Sequence, residues 1–160
     1  MGELSRAAAR VAEELRRLEV PAEVREMPES TRTAAEAAAA VGCSVAQIVK
    51  SLVFRSVTAD EPVLVLVSGA DRADVARLAA VVGDEVEQAT GKFVRERTGY
   101  AIGGVPPVAH AEALVTYLDE HLLGHAVVWA AAGTPRAVFS IVPADLLRIT
   151  GARVVAVAGA

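Results

Sequence analysis

Cysteine, lysine, net positive charge and long apolar runs are all scarce in this chain of 160 residues. The single cysteine, Cys43, excludes an internal disulfide and a cysteine-built metal cluster. Between Gly42 and Ser44 it reads as a small filler. The longest apolar run, Ala126 to Ala132, falls far short of the ~20 residues a membrane-spanning helix needs. No charged-then-apolar leader pattern opens the chain, and Glu3, Glu13 and Glu14 argue against an organelle presequence, so a cytoplasmic protein is expected. A net charge of −4 opposes broad, sequence-blind attraction to nucleic acid while leaving room for a local basic rim.

Recognisable catalytic motifs are missing too. There is no Walker loop, no dinucleotide glycine fingerprint and no HExxH. His110, His121 and His125 lack a zinc-ligand spacing, and Ser68-Gly69 lacks the GxSxG elbow. Neither a metal nor a cofactor is expected. What remains is a chain 53% hydrophobic, with mean hydropathy +0.39, much of it alanine and valine. Residues 1–160 suit one domain that buries about 70% of its unfolded surface.

Of 16 basic side chains only Lys50 and Lys92 are lysines. A chain that otherwise writes arginine keeps a compact point charge at Lys50, amid the apolar Val45, Ile48, Val49, Leu52, Val53 and Phe54. The spacing predicts a short helix capped by Ser44 that carries Lys50, followed by a strand. An ammonium at the edge of a core is costly unless partnered or used. The alternative is a cation that merely complements a helix end.

Around this stretch, residues 3–18 read as an amphipathic helix ended by Pro21, and residues 22–27 as a half-buried strand. Thr33 and Glu36 form a capping box for a helix that stops at Gly42. Residues 63–67 are a strand covered on both faces. Asp71 is the expected N-cap of a helix with Val75, Leu78, Ala79 and Val82 inward. A strand at 85–88 and a helix at 90–97 follow, its Lys92, Arg95 and Arg97 reading as a solvated face. Strands at 114–118, 126–130, 137–142 and 153–157, with a helix from Pro143, complete the chain. Helices mixed with about seven strands, without strict βα alternation, indicate an α+β fold. Its sheet is expected to be strongly curved and barrel-like, mixed or mostly antiparallel, with helices around it.

Two loops stand out. Residues 98–110 contain Gly103-Gly104-Val105-Pro106-Pro107 and end at His110. Paired glycines followed by paired prolines can aim consecutive N–H groups at one point, as an anion nest or oxyanion hole requires. The alternative is an ordinary tight connection. Ala132-Gly133-Thr134-Pro135-Arg136 is the second loop.

Four blocks resemble the YbaK/EbsC family, domains related to the editing domains of prolyl-tRNA synthetase. They are residues 33–38 leading to 48–54, residues 67–72, residues 102–110, and residues 129–139. Their order and spacing cover about residues 5–157. The resemblance implies a free-standing trans-editing domain that hydrolyses the ester of a mischarged aminoacyl-tRNA, alone or with a synthetase, as a monomer or homodimer. It places Lys50, Gly103 and Gly104 at the chemistry. Val105, Pro106, Pro107, His110, Ala132, Gly133, Thr134 and Arg136 become pocket residues. Ala109 and Arg136 depart from the glycine and histidine that many relatives carry. On this reading backbone N–H groups near Gly103 and Gly104 hold the developing oxyanion, and Lys50 anchors the substrate. A small pocket would select a small amino acid. A non-catalytic module for aminoacyl-tRNA, an amino acid or a nucleotide would use the same pocket. An inert scaffold would instead turn Lys50 and the loops away from any shared cavity.

Overall fold

The computed structural model describes residues 4–159. Ser5 caps α1, Arg6–Arg17, whose buried Ala8, Val11 and Leu15 share one face. Glu3, counted into this helix from the sequence, lies outside the described residues. β1 is only Arg25–Glu26, with Pro28 close behind it. The Thr33–Glu36 capping box opens α2, Ala34–Val41, and Gly42 closes it at φ 77°.

The next turn departs from expectation. Val45–Gln47 is a single 3-10 turn, and Lys50 is already the second residue of β2, Val49–Ser56. Apolar residues at 45, 48, 49 and 52 fit both periods over so short a run, and the β-branched residues that follow decide for strand. β3 is Glu61–Ser68, and β4 is Arg72–Ala73. The N-cap of α3, Val75–Val82, is Asp74 rather than Asp71, and Val75 is 48% exposed.

β5 (Val86–Gln88) and α4 (Gly91–Thr98) lead into the glycine-proline loop. β6 (Val115–Asp119), a 3-10 turn at Glu120–Gly124, β7 (Val128–Ala131) and β8 (Ala137–Ile141) follow. α5 (Pro143–Thr150), β9 (Arg153–Val155) and β10 (Ala158–Gly159) end the described chain.

The main sheet runs β5-β2-β3-β6-β9, with β2 antiparallel to β3 and β5, and β6 parallel to β3 and β9. β1-β8-β7 and β10-β4 form two smaller antiparallel sheets. The α+β class and mixed pairing match the sequence reading, but the described sheets do not close into a barrel. A parallel bridge between Ile48 and Trp129 joins the first two sheets.

β3 explains how the core divides. Val63, Val65 and Val67 point toward α3 and pack with Leu78, Val155 and Val157. Leu64 and Leu66 point the other way, into the cluster holding Val11 and Leu15 of α1. A period-2 strand that is apolar at every position from Val63 to Val67 can satisfy both sides only as the middle layer. That fixes β2, and with it Lys50, beside the most buried strand.

Candidate active site

β2 has a partner along one whole edge and a gap along the other. Its bonds to β3 run through all eight residues, whereas β5 covers only Phe54–Ser56. At its start β2 is held by the Ile48–Trp129 bridge. Gly69 N–H donates to Ile48 O at 2.7 Å, so alternation turns the backbone groups of Lys50 and Leu52 toward β3. Those of Ser51 face the gap. A cleft of about 320 Å³ occupies it, walled by Lys50, Ser51, Gly103, Val105, Arg32 and Trp129 among others. A side chamber of about 200 Å³ shares Ser51, Leu52, Ile102 and Val105 with it.

Lys50 is half-buried, and its ammonium donates to the carbonyl oxygen of Asp71. Burial pushes its pKa down, the Asp71 charge opposes this, and Arg72 adds to it. The Asp71 carboxylate is turned elsewhere, accepting from His121 Nδ1 at 2.8 Å. His121 Nδ1 also lies 3.6 Å from the fully buried Asp119. That carboxylate is pinned by the N–H groups of Val157 (2.9 Å), Ala158 (3.0 Å) and His121 (3.1 Å).

The glycine-proline loop is tied at several points. Gly103 has φ 92°, and Gly104 N–H donates to Ala101 O at 3.0 Å. That bond corrects one expectation: the Gly104 N–H is spent within the turn. The N–H groups of Gly103 and Val105 have no acceptor among the described residues, and both residues line the cleft. Pro106 and Pro107 are buried behind it. His110 Nε2 donates to Pro106 O at 2.6 Å, and burial pushes its pKa down. His110 is thus a brace outside the cleft. Tyr100 Oη donates to Ala109 O at 2.7 Å. Ala109 itself sits at φ 68°, a left-handed position that suits glycine better.

The second loop lies behind the first. Gly133 N–H donates to Gly104 O at 2.9 Å, and a side chain on Gly133 would strike the Ala7 carbonyl of α1. Thr134 Oγ1 accepts from Arg136 N–H, and the exposed Arg136 guanidinium donates to Pro28 O at 3.2 Å. Ala132 is fully buried. None of Gly104, Pro106, Pro107, His110, Ala132, Gly133, Thr134 or Arg136 lines the cleft. The end of β7, Trp129–Ala131, forms the wall that the sequence reading gave to the loop after it.

Of the candidate site residues only Lys50, Gly103 and Val105 line the cleft, and among the wall residues that sequence reasoning missed Arg32 and Trp129 stand out. Arg32 lays its aliphatic stem where a Gly103 Cβ would stand, and its guanidinium has no acceptor among the described residues. Trp129, the single tryptophan, carries the Arg25 guanidinium 5.5 Å from its ring centroid. Its rarity was the available signal.

Residues 28–149 match the aminoacyl-tRNA editing domain family. The chain belongs to that family. The editing domain is 50% identical to a protein of known structure proposed as a trans-editing enzyme for prolyl tRNA synthetase, with TM-score 0.91 over 99% of this chain and 100% of the other. It is 33% identical to the hypothetical protein APE2540, with TM-score 0.88 over 94% of this chain and 99% of the other. It is also 30% identical to the uncharacterized protein YwhH of Bacillus subtilis (strain 168), over 82% of this chain and 83% of the other. Among the described residues no helix is long and apolar enough to cross a membrane.

Proposed function

We propose that this editing domain is a trans-acting deacylase that hydrolyses the ester of a mischarged aminoacyl-tRNA bearing a small amino acid. The observation that carries the reading is the meeting of Lys50, Gly103 and Val105 across one cleft of about 320 Å³. An aminoacyl ester is already activated, so positioning and charge stabilisation suffice. The oxygen of a water attacks the carbonyl carbon, and the N–H groups of Gly103 and Val105 receive the negative oxygen. The Lys50 ammonium anchors the terminal adenosine or the amino acid and adds positive charge. Collapse of the tetrahedral species breaks the bond to the ribose oxygen, which takes a proton. Free amino acid and tRNA with a 3′-terminal hydroxyl are released.

No carboxylate or imidazole lines the cleft among the described residues. The neighbouring ribose hydroxyl can relay the proton instead, taking it from the attacking water while passing its own to the leaving ribose oxygen. The same lack of a base gives a second reading some support, a module that binds aminoacyl-tRNA without turnover, on its own or beside a synthetase.

Single-turnover deacylation of alanyl-, cysteinyl-, seryl- and threonyl-tRNA separates the two. The resemblance to a protein proposed to serve prolyl tRNA synthetase makes proline tRNA the first carrier to test. Release of a small amino acid, slowed about 100-fold or more by Lys50→Ala, is the expected result. Binding with no release of amino acid from any ester would leave the module reading.

A further inference from the structure

Asp71 can serve Lys50 in two ways, by its carbonyl or by its carboxylate. The carbonyl holds the ammonium and leaves its charge uncancelled. The carboxylate would make a closed ion pair that a substrate must first break. Among the described residues no carboxylate lies within 4.0 Å of Lys50 Nζ, although Asp71 is the residue it touches. What turns that carboxylate away is on the opposite side. His121 Nδ1 holds it at 2.8 Å, and His121 is itself fixed by its backbone bond to Asp119.

We propose that His121 is a positioning residue: by sequestering the Asp71 carboxylate it keeps the Lys50 ammonium available to substrate. The part of this inference that concerns turnover rests on the deacylase reading; the part that concerns Lys50 does not. The backbone around Asp71 supports a fixed choice between the two modes. Asp71 N–H donates to Ser68 O, Ala70 N–H to Ser68 Oγ, and Ser68 Oγ to Ala46 O. The turn therefore holds the carbonyl still while the side chain alone can swing. Arg72 also faces Lys50, and Asp119 and Glu120 face His121. The Nδ1–H donates to the Asp71 carboxylate from the neutral imidazole as well as from the imidazolium, so the hold weakens but persists when His121 loses its charge.

With only two lysines in the chain, selective lysine labelling gives two side-chain NMR signals, and the exposed Lys92 serves as the internal reference. His121→Phe frees the carboxylate to close on Lys50, which raises the pH at which Lys50 titrates by about one unit. Deacylation should fall about tenfold. Asp71→Asn added to His121→Phe removes the quenching charge while keeping the carbonyl, so both the Lys50 titration and the rate return toward those of the wild type. His121→Asn, which keeps an N–H donor for Asp71, should behave as the wild type. An unchanged Lys50 titration in His121→Phe overturns the proposal, and so does a double variant that stays as shifted and as slow as the single one. If the wild type deacylates nothing, the functional reading fails, and the lysine signal alone still decides the role of His121.

Discussion

Gly104 and Gly133 are joined back to back: the Gly133 N–H donates to the Gly104 carbonyl at 2.9 Å, and Gly104 leaves no room for a side chain against Thr134. The two loops are one unit, the rear loop bracing the one that faces the cleft. Gly104→Ala would put a methyl 2.9 Å from two backbone atoms of Thr134. A loss of about 1–3 kcal/mol is expected, read as a lower urea midpoint. Deacylation should fall with it, because Gly103 and Val105 move.

Gly103→Ala should differ in kind. Its Cβ would meet the flexible stem of Arg32 rather than backbone, at φ 92°. Strain of about 1–2 kcal/mol follows from the left-handed backbone alone. Arg32→Ala in the same chain relieves the steric part only. Stability of the double variant within error of wild type would show that the backbone is not strained there.

Much of the fold was legible because it is local. Thr33 and Glu36 announce a helix start within four residues, and the apolar run through Val63–Val67 allows only a middle strand. Asp71 and Asp74 both precede α3 and both make good caps, so propensity could not choose between them. The choice lies in a tertiary bond, Asp71 to His121, across 50 positions of sequence. The cleft wall was hidden for the same reason. Trp129 is brought to the start of Lys50's strand by its bridge to Ile48, a pairing that no local pattern encodes. His121 was weighed solely as a metal ligand, and the sequence offered no sign of its place beside Asp71.

Asp119 is fully buried, and its two oxygens serve three backbone N–H groups. Asp119→Ala leaves those donors of His121, Val157 and Ala158 unpaired, at a cost of at least about 3 kcal/mol. Asp119→Asn keeps an oxygen for Val157 and Ala158 and loses only the His121 bond. Roughly half the loss is expected, by denaturant titration; equal losses would show that charge rather than hydrogen bonding is what counts.

The two shifted histidines should bend the pH profile of stability in opposite directions. His121 has its pKa raised, chiefly by the Asp71 bond, so its contribution is present below its ordinary 6.5 and fades as pH rises through the folded value. His110 has its pKa lowered by burial, so its contribution is present above 6.5 and fades as pH falls toward the folded value. Urea midpoints from about pH 5 to about pH 8 should therefore separate wild type from His121→Phe most at the acid end. For His110→Gln the gap should be widest at the alkaline end. Parallel profiles for either pair would remove that histidine from the linkage.

Trp129 turns the cleft wall into its own reporter. It is the single tryptophan, it lines the cleft, and Arg25 lies over its ring, so a ligand in the cleft meets a ring already polarised by a cation. A non-hydrolysable analogue, adenosine with alanine linked by an amide at the 3′ position, should change its emission saturably. Lys50→Ala should raise the Kd about tenfold, since it removes one charge-assisted contact. Arg25→Ala should alter the emission of the free protein and its amplitude on binding, with a smaller change in Kd, because Arg25 is not among the residues lining the cleft. Calorimetric binding of the analogue without any change in Trp129 emission would place it elsewhere on the molecule.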